Sequence, residues 1–416
     1  MQQSASIKAT LWHRSHTLRI GKGWLFAVVA VLLMALAALS LLRVLNFSPH
    51  AASPTYQGPL VITKGGTYSG HWESRDSNVA AVEVRTKEPV IIENSKIRGA
   101  GFLIRSQGHD ASITVRNTEG YGLPPTSYSD YPKPRRFLAV DVFRNVVVEN
   151  CYLENTAGIY LGVAYTGDES PDQSIKIRYN RARNINGKVY NGLEPVQFVQ
   201  FNYRGEVPHA EIAWNEVINE PGASAVEDNI NIYNSRGTPQ SPIRIHNNYI
   251  QGAFPYPLDL PEYSGGGIIM DSPGTDSLEA TAYVSVYENQ LVGLGNYCLG
   301  IAGGNHIEMH HNRAIVAAVF PDGKPFHFWT SGIWAKDYYK MGNTFSNSMH
   351  HNTLAVLGKN HDWRNEIFDS TFAAADEFAN TILPDSITTK LEDAEYVRWQ
   401  RKLRLNGIKP GPTPTL

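Results

Sequence analysis

Two segments of this 416-residue chain place an ionisable side chain four residues after a glycine that opens an alternating run. They are Gly267-Ile268-Ile269-Met270-Asp271 and Gly332-Ile333-Trp334-Ala335-Lys336. A carboxyl group that gives up or holds a proton and an amine that can take one are the two halves of acid–base chemistry. Tyr233 ends a matching segment, Asn229-Ile230-Asn231-Ile232-Tyr233, and offers a phenolic proton donor. Asp337 follows Lys336 directly and adds a second carboxylate. His306 comes just after the turn Gly303-Gly304-Asn305, and an imidazole titrates near physiological pH. Aromatic residues crowd the same region: Trp334, Trp329, Tyr338 and Tyr339 give flat apolar platforms of the kind on which sugar rings stack.

What brings these residues together is a repeat. Two apolar residues on alternate positions followed by an asparagine recur at Asn150, Asn180, Asn215, Asn248, Asn289, Asn312 and Asn352, with weaker copies at Asn94 and Asn117. Alternation marks a strand with one buried face, and asparagine suits a tight bend. The shortest spacing is 23 residues, between Asn289 and Asn312, and longer spacings carry insertions that gather as loops on one side of a solenoid. With Ile159, Val196, Ile230, Ile268, Ile301 and Ile333 placed inward, the outward neighbours include Gln197, Asn231 and Trp334. Two positions on, the outward column reads Gly162, Val199, Tyr233, Asp271, Gly304 and Lys336. Coils stack about 4.8 Å apart, so Asp271 and Lys336 are expected about 10 Å apart across a floor of small residues, room enough for one sugar. Gln197, Asn231, Trp334, Tyr338 and Trp329 are the expected substrate contacts. His306, Glu308 and His310 alternate along one strand and read as a polar outer ladder, since ~7 Å steps are too wide for one shared ion.

The succession I-x-I-x-x-N-x-x-I and then G-I-x-I, coil after coil, resembles the right-handed parallel β-helix of the pectate-lyase-like superfamily. The expected fold is all-β: a right-handed parallel β-helix solenoid over 59–369, with one N-terminal transmembrane helix and a short helical C-terminal segment. That architecture hosts lyases, hydrolases, epimerases and inert spikes, so it defines no reaction by itself. The resemblance implies a groove along the glycine-opened strands. It also implies calcium as the metal, for which Glu227 and Asp228 at the entrance of one such strand are the candidates. No paired-aspartate signature marks the strand where pectate lyases hold calcium, and the Asp-Pro-His-Asp motif of alginate epimerases is absent.

The rest of the chain sets the location. Gly23–Leu42 is free of charge and long enough as a helix to span a bilayer; Lys8, Arg14, Arg19 and Lys22 precede it. The expected organisation is a cytoplasmic leader (1–22), an inner-membrane anchor (23–46), a linker (47–58), the periplasmic β-helix (59–369) and a C-terminal cap and tail (370–416). A signal peptide cleaved near Ala35-Leu36-Ala37 is the alternative. Asp393–Gly407 reads as an amphipathic helix that caps the open end of the solenoid, or lies on a membrane through Arg398, Arg401, Lys402 and Arg404. The two cysteines, Cys151 and Cys298, are far apart and read as buried free thiols. Charged residues are 18% with a formal net charge of −2, which argues against a nucleic-acid partner. The expectation is an exopolysaccharide-linked enzyme that modifies or cleaves a polysaccharide as a lyase, hydrolase or epimerase, beside synthesis or export proteins. A glycan-binding scaffold of an export assembly is the rival.

Overall fold

Each turn of the chain contributes three short strands, and each strand pairs in parallel with its counterparts one coil before and one coil after. The computed structural model describes residues 55–125, 133–189, 192–368, 374–384 and 386–413. The expected leader, anchor and most of the linker lie outside the described residues, and among those described no helix is long and apolar enough to cross a membrane.

The chain is all-β with long parallel sheets, consistent with a β-helix solenoid. The first face carries the register Ile159–Val199–Ile230–Ile268–Leu299–Ile333. The second carries Ile177–Ile212–Ile245–Val286–Met309–Met349, all fully buried. The third is an eleven-stranded sheet ending at Thr381–Ile382. One long strand, Leu138–Glu149, runs from the first face into the second and joins them into one hydrogen-bonded network. β-branched residues fill the inward columns because their stiff side chains suit a pleated, packed surface. A single coil buries nothing by itself, whereas the stack makes one continuous apolar core.

The bend between the second and third faces is built from two residues. The first is left-handed, as at Tyr179 (φ 59°), Trp214 (58°), Glu288 (53°) and His351 (54°). The second is the buried asparagine. Each ladder asparagine accepts the next-lower residue's backbone N–H and passes its own amide up the stack: Asn215 N–H and Nδ2 both donate to Asn248 Oδ1, at 3.0 and 2.9 Å, and Nδ2 also reaches Ile177 O at 2.9 Å. The ladder runs Asn180, Asn215, Asn248, Asn289, Asn312, Asn352, Asn380. Asn150 does not belong to it. That residue takes the left-handed position (φ 51°), and Cys151 takes the ladder position, its N–H donating to Asn180 Oδ1 at 2.9 Å. Asn94 and Asn117 are likewise left-handed, φ 49° each, a conformation asparagine tolerates better than most residues.

Two boundaries differ from expectation. Coil pairing continues past 369: Asp376–Phe378 stacks on Ser348–His350, and Thr381–Ile382 on Thr353–Leu354. The C-terminal helix, Thr389–Asn406, does not cover the end of the solenoid but lies along its third face. Its buried residues Glu395, Trp399 and Leu403 are four apart, hence one helical stripe. Trp399 packs with Tyr249 and Val292, and its Nε1–H donates to Glu216 Oε2 at 3.1 Å. Arg313 clasps Glu395 at 2.6 and 2.9 Å. Left-handed Gly407 stops the helix, with Ile408 N–H donating to Leu403 O at 3.0 Å. The tail then returns to early coils: Gly411 N–H donates to Tyr179 O at 2.7 Å, and Asn150 Nδ2 to Lys409 O at 3.0 Å. The helix lies sideways because the third face offers Tyr249, Val292 and Ile315, an apolar surface that needed cover.

Candidate functional site: a carboxyl-floored cleft

Four strands of the first face, Asp228–Tyr233, Gly266–Asp271, Leu299–Ile301 and Ile333–Ala335, hold the site. Asn231, Ile269, Gly300 and Trp334 form one outward column, and Tyr233 lies beside Asp271. Ala302 and Lys336 follow in that second column, Ala302 N–H donating to Met270 O at 2.9 Å and Lys336 N–H to Ile301 O at 2.8 Å. Asp271 and Lys336 therefore stand two coils apart, with Ala302 rather than Gly304 between them. The sequence register is displaced at two coils. Val199 and Leu299, not Val196 and Ile301, occupy the inward position. Cys298 fills the place held by Gly267 and Gly332, while Gly300 sits mid-strand. A Cβ on Gly300 would meet Trp334 Nε1 at 2.8 Å, so that glycine exists to let the indole lie over the strand.

Above these strands opens a cleft of about 650 Å³. Its floor is carboxylic. Asn231, 4% exposed, donates through Nδ2 to Asp228 Oδ2 at 3.0 Å and to Asp271 Oδ2 at 2.8 Å. The two accepting oxygens thus lie no more than about 6 Å apart, the scale on which paired carboxyls share one reaction. Tyr297 donates its hydroxyl to Asp228 Oδ1, and Tyr339 donates to Asp271 Oδ1 at 2.8 Å. Glu227, more open, accepts from Gln197 Nε2 at 3.1 Å. Burial pushes the Asp271 carboxyl above its ordinary range, against the hydrogen bonds from Tyr339 and Asn231. Asp228 is pushed well above it, first by burial and then by the charges of Glu227 and Asp271. Glu227 rises for the same two reasons, burial and Asp271. Tyr233 is also raised, by burial and by Asp271.

The walls are aromatic. Trp334 meets Tyr297 edge to face at 5.7 Å. Trp329 is 46% exposed, with the Arg364 guanidinium 3.5 Å from its ring centre, and Tyr338 is 62% exposed at the rim. Lys336 also lines the cleft. Of the residues expected to act, Asp271, Lys336, Trp334, Trp329, Tyr338, Glu227 and Asp228 line this cleft. Asn231 and Gln197 bind its carboxyls from beneath, and Tyr233 neighbours Asp271.

Two do not belong. His306 lies on the second face, where its ring is exposed, stacks on Tyr283 at 4.8 Å and meets Phe345 edge-on at 5.8 Å. The glycine turn before it carries the chain away from the first face rather than back over it. Asp337 is spent on its own loop, accepting from Met341 N, Gly342 N and Thr344 Oγ1 at 3.2–3.3 Å. Tyr297 was missed. It stands two residues before inward Leu299, as Asp228 stands two before Ile230, so a correct register would have put both at the same depth.

The residues do not fit calcium. Both oxygens of Asp228 accept hydrogen bonds, Asp271 is engaged likewise, and among the described residues no group of three His, Cys, Asp or Glu side chains is arranged to hold a metal ion. Comparison with models of known families, with curated proteins and with solved structures found no match.

Proposed function

We propose that this chain is a carbohydrate-active enzyme of the right-handed, pectate-lyase-like β-helix type, anchored in the inner membrane with its cleft in the periplasm, and that it hydrolyses a polysaccharide. The observation that carries the reading is Asp271: a carboxyl at the floor of a cleft walled by Trp334, Trp329 and Tyr338, beside a second buried carboxyl and raised by burial above its ordinary range. A carboxyl raised in this direction suits the role of general acid. Asp271 gives its proton to the glycosidic oxygen as the C–O bond breaks. Glu227, the most open of the three carboxyls, takes a proton from the water whose oxygen bonds to the anomeric carbon. Asp228 and Asn231 are positioning residues: the amide shared between the two aspartates fixes the Asp271 carboxyl.

The test uses the full-length protein in detergent against a panel of neutral, acidic and amino-bearing polysaccharides. New reducing ends without new unsaturated sugars, lost in Asp271→Asn with its thermal unfolding unchanged, is the expected result. Unsaturated products would instead make it a lyase, with Lys336 as base. Binding without any product would leave a glycan scaffold and overturn the enzyme reading.

A further inference from the structure

The cleft does not end at its acids. A second depression, of about 270 Å³, opens beside it and shares Glu227 and Ser264 with it. Tyr256, Leu260 and Tyr263 form its apolar side, and Glu194 and Glu262 its charged side. Glu227 thus stands at the junction of two adjoining hollows, one walled by tryptophans and one by tyrosines. The charge along them is lopsided. Five carboxyls line the pair; Asp228 and Asp271 belong to the proton-donating floor, and the acidic groups left to meet a ligand's charge are Glu194, Glu227 and Glu262, against Lys336 as the one basic residue lining the hollows among the described residues. Nearby Lys188 faces the Tyr256 ring at 5.8 Å.

The carboxyls are held in place from beneath, Asp228 and Asp271 by Asn231 and Glu227 by Gln197, so the acidic lining is fixed before a ligand arrives. A uronate chain would bring further carboxylates to this surface.

We infer that the substrate is a glycan chain bearing free amino groups, a polymer of hexosamines at least partly without N-acyl substituents, lying through both hollows with Glu227 at the crossing. This rests on the polysaccharide reading above. An ammonium on each of two or three sugars meets a carboxyl in place of a repelling charge.

Glucosamine tetramers and hexamers, their fully N-acetylated counterparts and galacturonate oligomers of the same lengths are the probes. Binding is measured calorimetrically on full-length Asp271→Asn, and cleavage separately on the wild type. The expected result is about tenfold tighter binding of the amino hexamer than of the acetylated one, a gap that closes as salt is raised. The hexamer should gain over the tetramer, and Glu262→Gln with Glu194→Gln should shrink both differences. Equal or tighter binding of the acetylated or galacturonate chain, or no binding of any, overturns the inference. If the amino chain binds as expected but the wild type cuts nothing, hydrolysis falls while the ligand class stands.

Discussion

Glu211 on the second face and Asp271 on the first are both buried carboxyls on neighbouring stretches of one solenoid, 8% and 7% exposed. Their chemistry is opposite. Burial presses Glu211 upward too, but the hydrogen bond from His246 at 3.1 Å and the charges of Arg244 and Arg178, at 2.9 and 3.1 Å, hold it down to about 2. The hydrogen bonds to Asp271 come from neutral donors, Tyr339 and Asn231, and burial prevails over them, so its carboxyl is raised. Depth alone therefore does not make a reactive group. The charge of the hydrogen-bond donors does, and it separates a cleft carboxyl that burial raises from an ion-pair lattice that stiffens a wall.

The sharpest way to break this contrast is at Asn231. Asn231→Leu removes the donor shared by Asp228 and Asp271, so both carboxyls should rise further. Turnover is expected to fall about 100-fold, and the alkaline limb of the pH–rate profile, where Asp271 loses its proton, should move to higher pH; an unmoved limb would show that the amide does not set these carboxyls. A smaller effect is expected at the other pole. Glu211→Gln should leave turnover intact and cost about 2 kcal/mol of stability at neutral pH, because Arg178 and Arg244 lose the carboxylate charge they share and one acceptor oxygen becomes a donor. The sign follows from the depressed carboxyl: its stabilisation is present above the ordinary glutamate range and is lost as pH falls toward 2, so wild type and variant should converge in acid denaturation. The smallest change is Asp228→Asn. A carboxyl raised in the folded state weakens folding once the pH exceeds the ordinary aspartate range, so the amide should add about 1 kcal/mol near neutrality and nothing near pH 3. Thermal melts across that range check it, and a variant less stable at every pH would contradict the account of the cluster.

Much of the fold could be read in the sequence because solenoid geometry repeats its demands. A buried asparagine at each bend, with apolar residues two and three positions away, leaves a pattern that survives insertions. The pattern misled where two physical needs call for the same residue type. Asparagine serves the buried ladder at Asn180 but the left-handed position at Asn150, and only the hydrogen bonds tell them apart. Glycine opens the strand at Gly267 and Gly332, yet at Gly300 it makes room for an indole from the next coil. That second ambiguity moved one coil by two residues and hid Tyr297. Asp271, Trp334 and Lys336 were placed on one cleft nonetheless, since their coils were read in the correct register. His306 failed for another reason: a turn's direction is set in three dimensions, and nothing in Gly303-Gly304-Asn305 says which face follows.

The C-terminal strap has a consequence for how the molecule comes apart. A stack in which each coil touches only its neighbours should lose coils one at a time from its ends. Here the helix binds Arg313 and Glu216, and the tail reaches Tyr179 and Asn117, the last across 296 residues of sequence. Coils far apart in the stack are thereby coupled through one segment. The array gains all-or-none unfolding that nearest-neighbour stacking could not give it, and the strap can dock only when the coils from Asn117 to Arg313 already stand in order.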